Sequence, residues 1–578
     1  MSLSAATVHE ALHESAQTFG NTRGLRYYHT RDSSEYRGFA ELDRRARAVA
    51  SRLTAAGFGP GDLAIIGLAR GLECVEAIYG ALYAGLAFAP APVAGYGSAD
   101  MMAHRVAGIA RSADARVLIT SPSDYAALGG SLPGVELSTL MIDEMVAEGG
   151  PDSWMPPQVD GDSMALLLFT SGSTGDPKGV IGTHRMIMSS VADFSRLFGY
   201  SSESVMLGWA PLHHAMGIFT QVFIPISLGA EGVILATSQF QKRPAVWLQL
   251  MSKHRATSSS GGNFAFTLAT QFATDELVAE LDLSSVDTLF SGSEPVRAAT
   301  VQAFVERFAP AGLKASSVSP LMAATEALVI SAKPAGSEVV IRTFDAASRE
   351  TGLLRPSTGD GGVEMVSCGR PSETTSVVII DPQTLQPVEG GTIGELWVAG
   401  PGVSPGYYRR PDATAETFGH SVPGFEGSYM RTGDLAAIVD GELFITGRLK
   451  DMINIRGRNI YPQDLEAMAV TVSEAVGISA AFELEGHPSA IGIISEVDEE
   501  SREVAGLSYA ELTAQLQKEL IAYFSLPSLA VGLVPLGQLP RTGAGKVTRR
   551  PVRVALESGG LPLVHATGFA AAAPAPVS

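Results

Sequence analysis

Thr170-Ser171-Gly172-Ser173-Thr174-Gly175-Asp176-Pro177-Lys178-Gly179-Val180-Ile181-Gly182-Thr183-His184 is the stretch whose reading decides the fold. An uncharged run, residues 164–169, precedes it and reads as a buried strand. A strand that breaks into Gly172, Gly175 and Gly179, with serine and threonine hydroxyls between them, makes a loop rich in donors. Such a loop turns backbone N–H groups, hydroxyls and one lysine, Lys178, toward a polyphosphate. The common nucleotide loop needs a glycine, four residues and then Gly-Lys-Ser/Thr. Here Pro177 stands five residues after Gly172, and Gly179 follows Lys178. The stretch is a phosphate loop of another kind or, taken alone, a plain surface turn. The motifs elsewhere in the chain decide between the two.

A chain of 578 residues can hold two to four domains with sizeable cores. Hydrophobic residues make up 46% of it, which is a globular composition. A formal charge of −19 and the lack of a basic run argue against a nucleic-acid partner. Cys74 and Cys368 lie far apart and suggest neither a metal knuckle nor a disulfide framework. The N-terminus lacks a basic start followed by an apolar core, so no signal peptide is expected. Residues 77–99 carry no charge and could span a bilayer in length. They contain Pro90, Pro92 and four glycines, so they read as a buried helix, a turn and a strand. No membrane span is expected, and the protein should be soluble and cytoplasmic.

Residues 37–58 carry helical spacing, with Phe39, Leu42, Ala46, Val49 and Leu53 on one face. Gly57 and Gly59-Pro60-Gly61 stop the helix, and residues 63–68 read as a strand. This alternation runs to about residue 330 and predicts open α/β layers. Residues 335–365 are polar and aperiodic, which predicts an exposed insertion or hairpin. A β-rich stretch follows, with strands at 376–380 and 395–398 and a turn at Gly390-Gly391. Arg448-Leu449-Lys450-Asp451 separates two short apolar patterns and reads as a domain junction. Beyond it lie a strand at 491–494 and a helix at 509–524. Residues 559–578, ending in Ala/Pro low complexity, are expected to form a disordered tail.

Seven more stretches follow the phosphate loop. They are Trp209-Ala210-Pro211-Leu212-His213-His214-Ala215-Met216-Gly217; Gly262-Asn263-Phe264-Ala265-Phe266; Ser291-Gly292-Ser293-Glu294-Pro295-Val296-Arg297; and Thr325-Glu326. Then come Tyr429-Met430-Arg431-Thr432-Gly433-Asp434-Leu435; the long run from Gly447-Arg448-Leu449-Lys450 to Glu466; and Leu539-Pro540-Arg541-Thr542-Gly543-Ala544-Gly545-Lys546. Neighbouring histidines on a strand face opposite ways and no HExxH pattern is present, so His213-His214 does not read as a zinc site.

In this order and register the stretches resemble the adenylate-forming superfamily: acyl-CoA synthetases, peptide-synthetase adenylation domains, luciferases and fatty acyl-AMP ligases. The resemblance implies an α/β fold. A large N-terminal domain of layered α/β subdomains plus a β-rich subdomain would cover 1–449, and a small mobile α+β domain 450–558. It implies that Thr170, Ser171, Gly172, Ser173, Thr174, Gly175 and Lys178 bind phosphates. Gly292, Ser293, Glu294, Pro295, Met322 and Ala323 would flank the adenine, and Asp434 and Arg448 the ribose. His213, His214, Met216, Gly262, Asn263 and Phe264 would line the acyl pocket. Thr325, Glu326, His214 and Lys546 would be catalytic, with Mg²⁺ held by Glu326 and the phosphates and with Lys450 as hinge. The substrates implied are ATP, a hydrophobic carboxylic acid or its acyl-adenylate, and a thiol of coenzyme A or of a carrier protein's phosphopantetheine.

Three features resemble the fatty acyl-AMP ligase branch most: the Asn263–Phe266 segment, the extra residues at 335–365, and the run from Arg458 to Asp464. Peptide-synthetase domains need an acidic residue near position 214, where this chain has His214-Ala215, so an amino-acid substrate is disfavoured. The chain also departs from the pattern. Met322-Ala323 replace an aromatic-Gly pair, Ala215 an aspartate, and Gly261-Gly262 an Ala-Pro pair. Stacking a base on an aromatic ring is worth about 1–3 kcal/mol, roughly five- to 150-fold in affinity. Three readings therefore stand on sequence alone: a full acyl-activating ligase, an enzyme for thioester formation from a ready-made acyl-adenylate, and a non-catalytic adenylate binder.

Overall fold

The computed structural model describes residues 5–93, 98–170, 178–357, 362–455, 458–484, 491–541 and 547–569. The run before the phosphate loop forms the strand Met164–Thr170, which sits in a six-stranded sheet among the described residues. Leu63–Gly67, Ala87–Pro90 and Val117–Thr120 run parallel beside it. All five residues of Leu63–Gly67 are buried, as expected of a parallel strand covered on both faces. The helix Phe39–Ala55 buries the predicted face, packed chiefly on the helix Glu73–Tyr83: Phe39, Leu42, Ala46, Val49 and Leu53 are each at most 1% exposed. It lies close against Glu73–Tyr83 because Gly80 has no side chain; a Cβ there would stand 2.2 Å from Val49 Cγ1. Residues 77–99 split as read, into that helix, a turn at Gly85 (φ +80°) and the strand Ala87–Pro90. Among the described residues no helix is long and apolar enough to cross a membrane.

A second sheet, nine-stranded among the described residues, carries Val205–Gly208, Ser258–Gly261, Thr288–Ser291 and Val318–Ala324 side by side and parallel. The third is antiparallel and contains Ser376–Ile380, Gly394–Ala399, Phe425–Val439 and Glu442–Arg448. After residue 449 the chain builds another sheet, ordered Val476–Glu483, Ile491–Val497, Ala530–Pro535 and His565–Thr567. The helices Pro462–Val472 and Tyr509–Phe524 pack on it. Buried apolar clusters divide at the same point: among the described residues, each draws its members either from residues up to 444 or from residues 453 onward.

Two expectations need correction. Residues 335–365 contain the hairpin that was one of the two forms expected, but it is not wholly exposed. Ile341–Phe344 and Val363–Val366 form a hairpin with the helix Ala346–Glu350. Phe344 is fully buried against Phe444, ring centroids 5.0 Å apart, with Leu354 beside it. A few apolar side chains anchor a segment whose polar majority hides them from any periodicity count. The tail likewise begins later than residue 559. His565–Thr567 pairs antiparallel with Ala530–Pro535, and Val564 N–H donates to Leu533 O at 2.9 Å. An unpaired edge of backbone donors and acceptors on Ala530–Pro535 is what this short strand covers.

Deleting residues 561–578 should therefore uncover that edge. The expected result is faster amide hydrogen exchange at Val531 and Leu533 and a lower thermal midpoint for residues beyond 450. Unchanged exchange would mean that the last strand contributes nothing.

Candidate active site

The phosphate loop hangs from an antiparallel ladder. Met164–Thr170 pairs with Lys178–Thr183, the last rung being Thr170↔Lys178. Ser171, Gly172, Ser173, Thr174 and Gly175 lie outside the described residues. Thr183 caps the following helix His184–Phe198 by accepting from Met186 N–H at 3.1 Å. His184 is 2% exposed and accepts Val8 N–H on Nδ1 at 3.2 Å, so it is a structural tie to the first helix.

Lys178 Nζ lies 4.9 Å from the centroid of the Tyr407 ring, a cation–π distance. The Tyr407 hydroxyl donates to Glu326 Oε1 at 2.9 Å. Thr325 and Glu326 occupy the turn between Val318–Ala324 and Leu328–Ala332, and both are half-buried. Burial, and then the neighbouring Glu326 carboxylate, hold the Tyr407 phenol well above its usual range. Asp434 and Arg448 face each other across one rung of Phe425–Val439 and Glu442–Arg448, with Arg448 Nε 3.0 Å from Asp434 Oδ1. The Asp434 carboxylate raises the Arg448 guanidinium, and Asp451 and Glu326 add to the effect. Lys178, Glu326, Asp434 and Arg448, drawn from three different sheets, thus meet in one place.

The other predicted residues form a second group beside it. Gly262 precedes the helix Asn263–Gln271, and Phe264 N–H donates to Glu294 Oε1 at 2.7 Å. A Cβ at Gly262 would stand 2.6 Å from that oxygen, which is the physical reason for glycine at this position. Asn263 accepts from Arg297 N–H and donates to Thr300 Oγ1, both at 3.1 Å. The helix expected to line the acyl pocket and the loop expected on the adenine side are therefore bonded together, and the Glu294 carboxylate makes part of this tie. In the same loop Gly292 fits under Leu321, Ser293 adopts φ +69°, and Pro295 is exposed. Met322 and Ala323 lie in the strand before Glu326 and are half-buried; Met322 packs against the apolar cluster that includes Val180 and Tyr407. The Phe264 ring stands edge-on to Trp209, which stacks on Phe240 at 3.8 Å.

His214 caps the short helix Ala215–Ile218, accepting Met216 N–H on Nδ1 at 3.2 Å, which puts its ring proton on Nε2. Burial first, then His214 and Arg105, push the His213 imidazole down to about 3, so it is neutral at ordinary pH. Met216 packs against the large core cluster of the first two layers. Lys450 Nζ makes only a long contact, 3.9 Å, to the exposed Glu416. Lys546 lies outside the described residues; the loop bearing it closes at its base through an Arg541↔Val547 bridge.

Sequence reasoning missed Tyr407. The signal available was a glycine-broken turn, Gly402-Val403-Ser404-Pro405-Gly406, ending in two tyrosines. It contains no titratable cluster and drew no attention. Among the described residues, no group of three or more His, Cys, Asp and Glu side chains could hold a metal ion by itself. Magnesium needs only one or two carboxylates where phosphate oxygens complete its shell, and Glu326 fits that need.

The model of the AMP-binding enzyme family matches residues 12–408, and the chain belongs to that family. It is 33% identical over 537 residues to the medium-chain-fatty-acid–acyl-carrier-protein ligase JamA of Moorena producens, covering 90% of each chain. It is 34% identical over 554 residues to a long-chain-fatty-acid–AMP ligase of Mycobacterium marinum, covering 89% of this chain and 91% of that one. In three dimensions it resembles one of the fatty acyl-adenylate ligases of E. coli and L. pneumophila with a TM-score of 0.87 at 26% identity, covering 97% of this chain and 99% of the other. The chain is accordingly an enzyme of the ligase type within this family, with the mixed α/β fold and the large and small domains of adenylate-forming enzymes.

His184 supplies a pH test. Burial pushes its imidazole down to about 4 from an ordinary 6.5. The unfolded chain then binds the proton that the folded one refuses, so stability is full above pH 6.5 and falls as pH drops toward 4. The slope is about 1.4 kcal/mol per pH unit for one such group. His184→Asn keeps an acceptor for Val8 N–H and should flatten the loss between pH 7 and 5, read from urea unfolding midpoints. An equal loss in both proteins would contradict this.

Proposed function

We propose that this chain activates a fatty or other hydrophobic carboxylic acid with ATP and then passes the acyl group to a phosphopantetheine thiol. The observation that carries this reading is the convergence of Lys178, Glu326 and the Asp434–Arg448 pair below the phosphate ladder. A carboxylate oxygen cannot leave as such. In the first step the acid oxygen attacks the α-phosphorus, the bond to the β-phosphate breaks, and pyrophosphate departs. The work is positioning and charge neutralisation. Lys178 and its loop neutralise the departing phosphates, and Asp434, steadied by Arg448, accepts from the ribose hydroxyls. Glu326 would hold a magnesium ion, which supplies further neutralisation of phosphate charge. Lys546 would stand between the acid and the α-phosphate, where two anions must approach. In the second step a thiol attacks the acyl carbonyl and AMP leaves.

Relatives named as fatty-acid–AMP ligases and as an acyl-carrier-protein ligase support a fatty acid as substrate and a carrier protein as acceptor. The apolar surroundings of Trp209, Phe240 and Phe264, and the absence of an acid at His214-Ala215, agree with a hydrophobic rather than an amino acid. We place the domain boundary between Leu449 and Lys450 and take Lys450 as the hinge about which the small domain turns between steps.

Residues 335–365 bear on the acceptor in this reading. Arg349, 5% exposed, pairs with Asp464 and lies 4.2 Å over the Tyr461 ring, while Glu350 receives two hydrogen bonds from Arg458 at 2.6 and 2.8 Å. The insertion thereby grips the small domain and sets how far it can turn.

Lys546→Ala should abolish acyl-adenylate formation, by about 10²–10³-fold or more, while largely sparing thioester formation from supplied acyl-adenylate. Asp434→Ala should damage both steps. Pyrophosphate release and thioester formation, measured separately, distinguish these outcomes, and equal damage by Lys546→Ala in both would exclude the turning domain. If the unmutated enzyme releases no pyrophosphate with any acid, Met322-Ala323 becomes the cause to test, by restoring an aromatic-Gly pair. Separately, Arg349→Ala combined with Glu350→Ala should change the ratio of coenzyme A to carrier-protein product; an unchanged ratio would remove the insertion from acceptor choice.

A further inference from the structure

The adenylation reading gives separate tasks to Lys178 and Glu326, yet one side chain touches both. We propose that Tyr407 is a positioning residue of the phosphate site. Its hydroxyl holds the metal-binding carboxylate of Glu326 and its aromatic face holds the Lys178 ammonium, so that cation and carboxylate keep a fixed separation before nucleotide arrives. This proposal rests on the reading of Glu326 and Lys178 given above.

The geometry divides the two functions within one residue. The hydroxyl donates to Glu326 Oε1 at 2.9 Å, which orients the carboxylate and leaves its second oxygen as the remaining acceptor. The ring face lies 4.9 Å from Lys178 Nζ. A bare carboxylate on a hairpin turn would sample several rotamers, each lowering the fraction ready for a metal. Hydrogen-bonded partners that orient metal-ligating carboxylates typically contribute about 10–100-fold to metal affinity.

The backbone around Tyr407 is fixed independently of its side chain. Ser404 N–H donates to Glu326 O at 2.7 Å, and Ser404 Oγ donates to Ile181 O at 2.7 Å. Ile181 N–H donates to Gly406 O at 3.1 Å, and Tyr408 N–H to Gly179 O at 2.8 Å. Tyr407 N–H donates to Thr414 Oγ1 at 3.0 Å. Gly406 permits the turn: its φ is +150°, and a Cβ would stand 2.5 Å from Thr414 Cγ2. A change at the Tyr407 hydroxyl therefore leaves the frame standing. Tyr407 also fills space, being 9% exposed and edge-on to Phe418 at 5.3 Å. A purely packing residue would tolerate phenylalanine without consequence.

The test is calorimetric binding of ATP to the full-length protein, without acid, across a magnesium titration. AMP binding without magnesium serves as the second readout. Tyr407→Phe keeps the ring and removes the hydroxyl. The expected result is a rise of about tenfold in the magnesium concentration that half-saturates ATP binding, with AMP affinity within about twofold of the unmutated protein. Tyr407→Leu removes the ring face as well and should also weaken ATP binding at saturating magnesium. In a Glu326→Gln background the Tyr407→Phe effect should vanish, because it acts through that carboxylate. An unchanged or tighter magnesium dependence in Tyr407→Phe, with Glu326→Gln alone showing a loss, overturns the proposal for Tyr407. If Glu326→Gln alone leaves magnesium dependence intact, the reading of Glu326 itself fails, and the role of Tyr407 falls with it.

Discussion

The backbone bonds from residues 404–408 to the strand Lys178–Thr183 on one side and to the Glu326 turn on the other hold two sheets at a set distance. The groups proposed above to handle phosphate are built around this seam. The last rung of the ladder, Thr170↔Lys178, sets these two residues one strand spacing, about 5 Å, apart. A sheet edge carries Lys178, a hairpin turn Glu326, and a cross-strand pair on a third sheet Asp434 with Arg448. Had these groups come from one element, its own curvature would set their separation. Coming from three, they depend on the seam.

The adenine and acyl sides are joined by a comparable device on a smaller scale. Glu294 and Asn263 exchange side-chain hydrogen bonds with the backbone of each other's segment. The helix Asn263–Gln271 cannot shift without dragging the loop that begins at Ser291. On the function proposed above, an acyl chain against Phe264 and a purine near Ser293 would act on one connected body.

What could be read from sequence followed from how local each signal is. The helix at 39–55 and the strand at 63–67 were legible because apolar spacing is a property of neighbours along the chain. Asp434, Arg448, Glu326 and Lys178 were proposed from stretches whose order along the chain resembles the family, and the structure pairs Asp434 with Arg448 and links Glu326 to Lys178 through Tyr407. The bond from Phe264 N–H to Glu294 was not legible, because a place in the loop after Ser291 cannot say which way a carboxylate turns. The hairpin within 335–365 was legible but its anchoring was not: Phe344 and Leu354 lie in a mostly polar stretch, and only packing in one cluster with Phe444 buries them. Tyr407 gave no signal because its role exists only once strands from two sheets have met. The strand His565–Thr567 was hidden in the same way: three residues without alternation become a strand only beside an edge that needs covering.

The grip of the insertion on the small domain has a consequence for how the enzyme responds to ionic strength. Exposed ion pairs weaken as the screening length shrinks to about 8 Å at physiological salt and further above it, whereas buried pairs are screened far less. Lys450 and Glu416, both 64% exposed on their side chains, belong to the first kind. Arg349 and Asp464, at 6% and 25%, stand closer to the second. Raising salt thus loosens the Lys450–Glu416 contact while leaving the Arg349–Asp464 pair largely in force. With Lys450 as the hinge proposed above, salt would separate freedom at the hinge from restraint at residues 335–365 without changing a single residue.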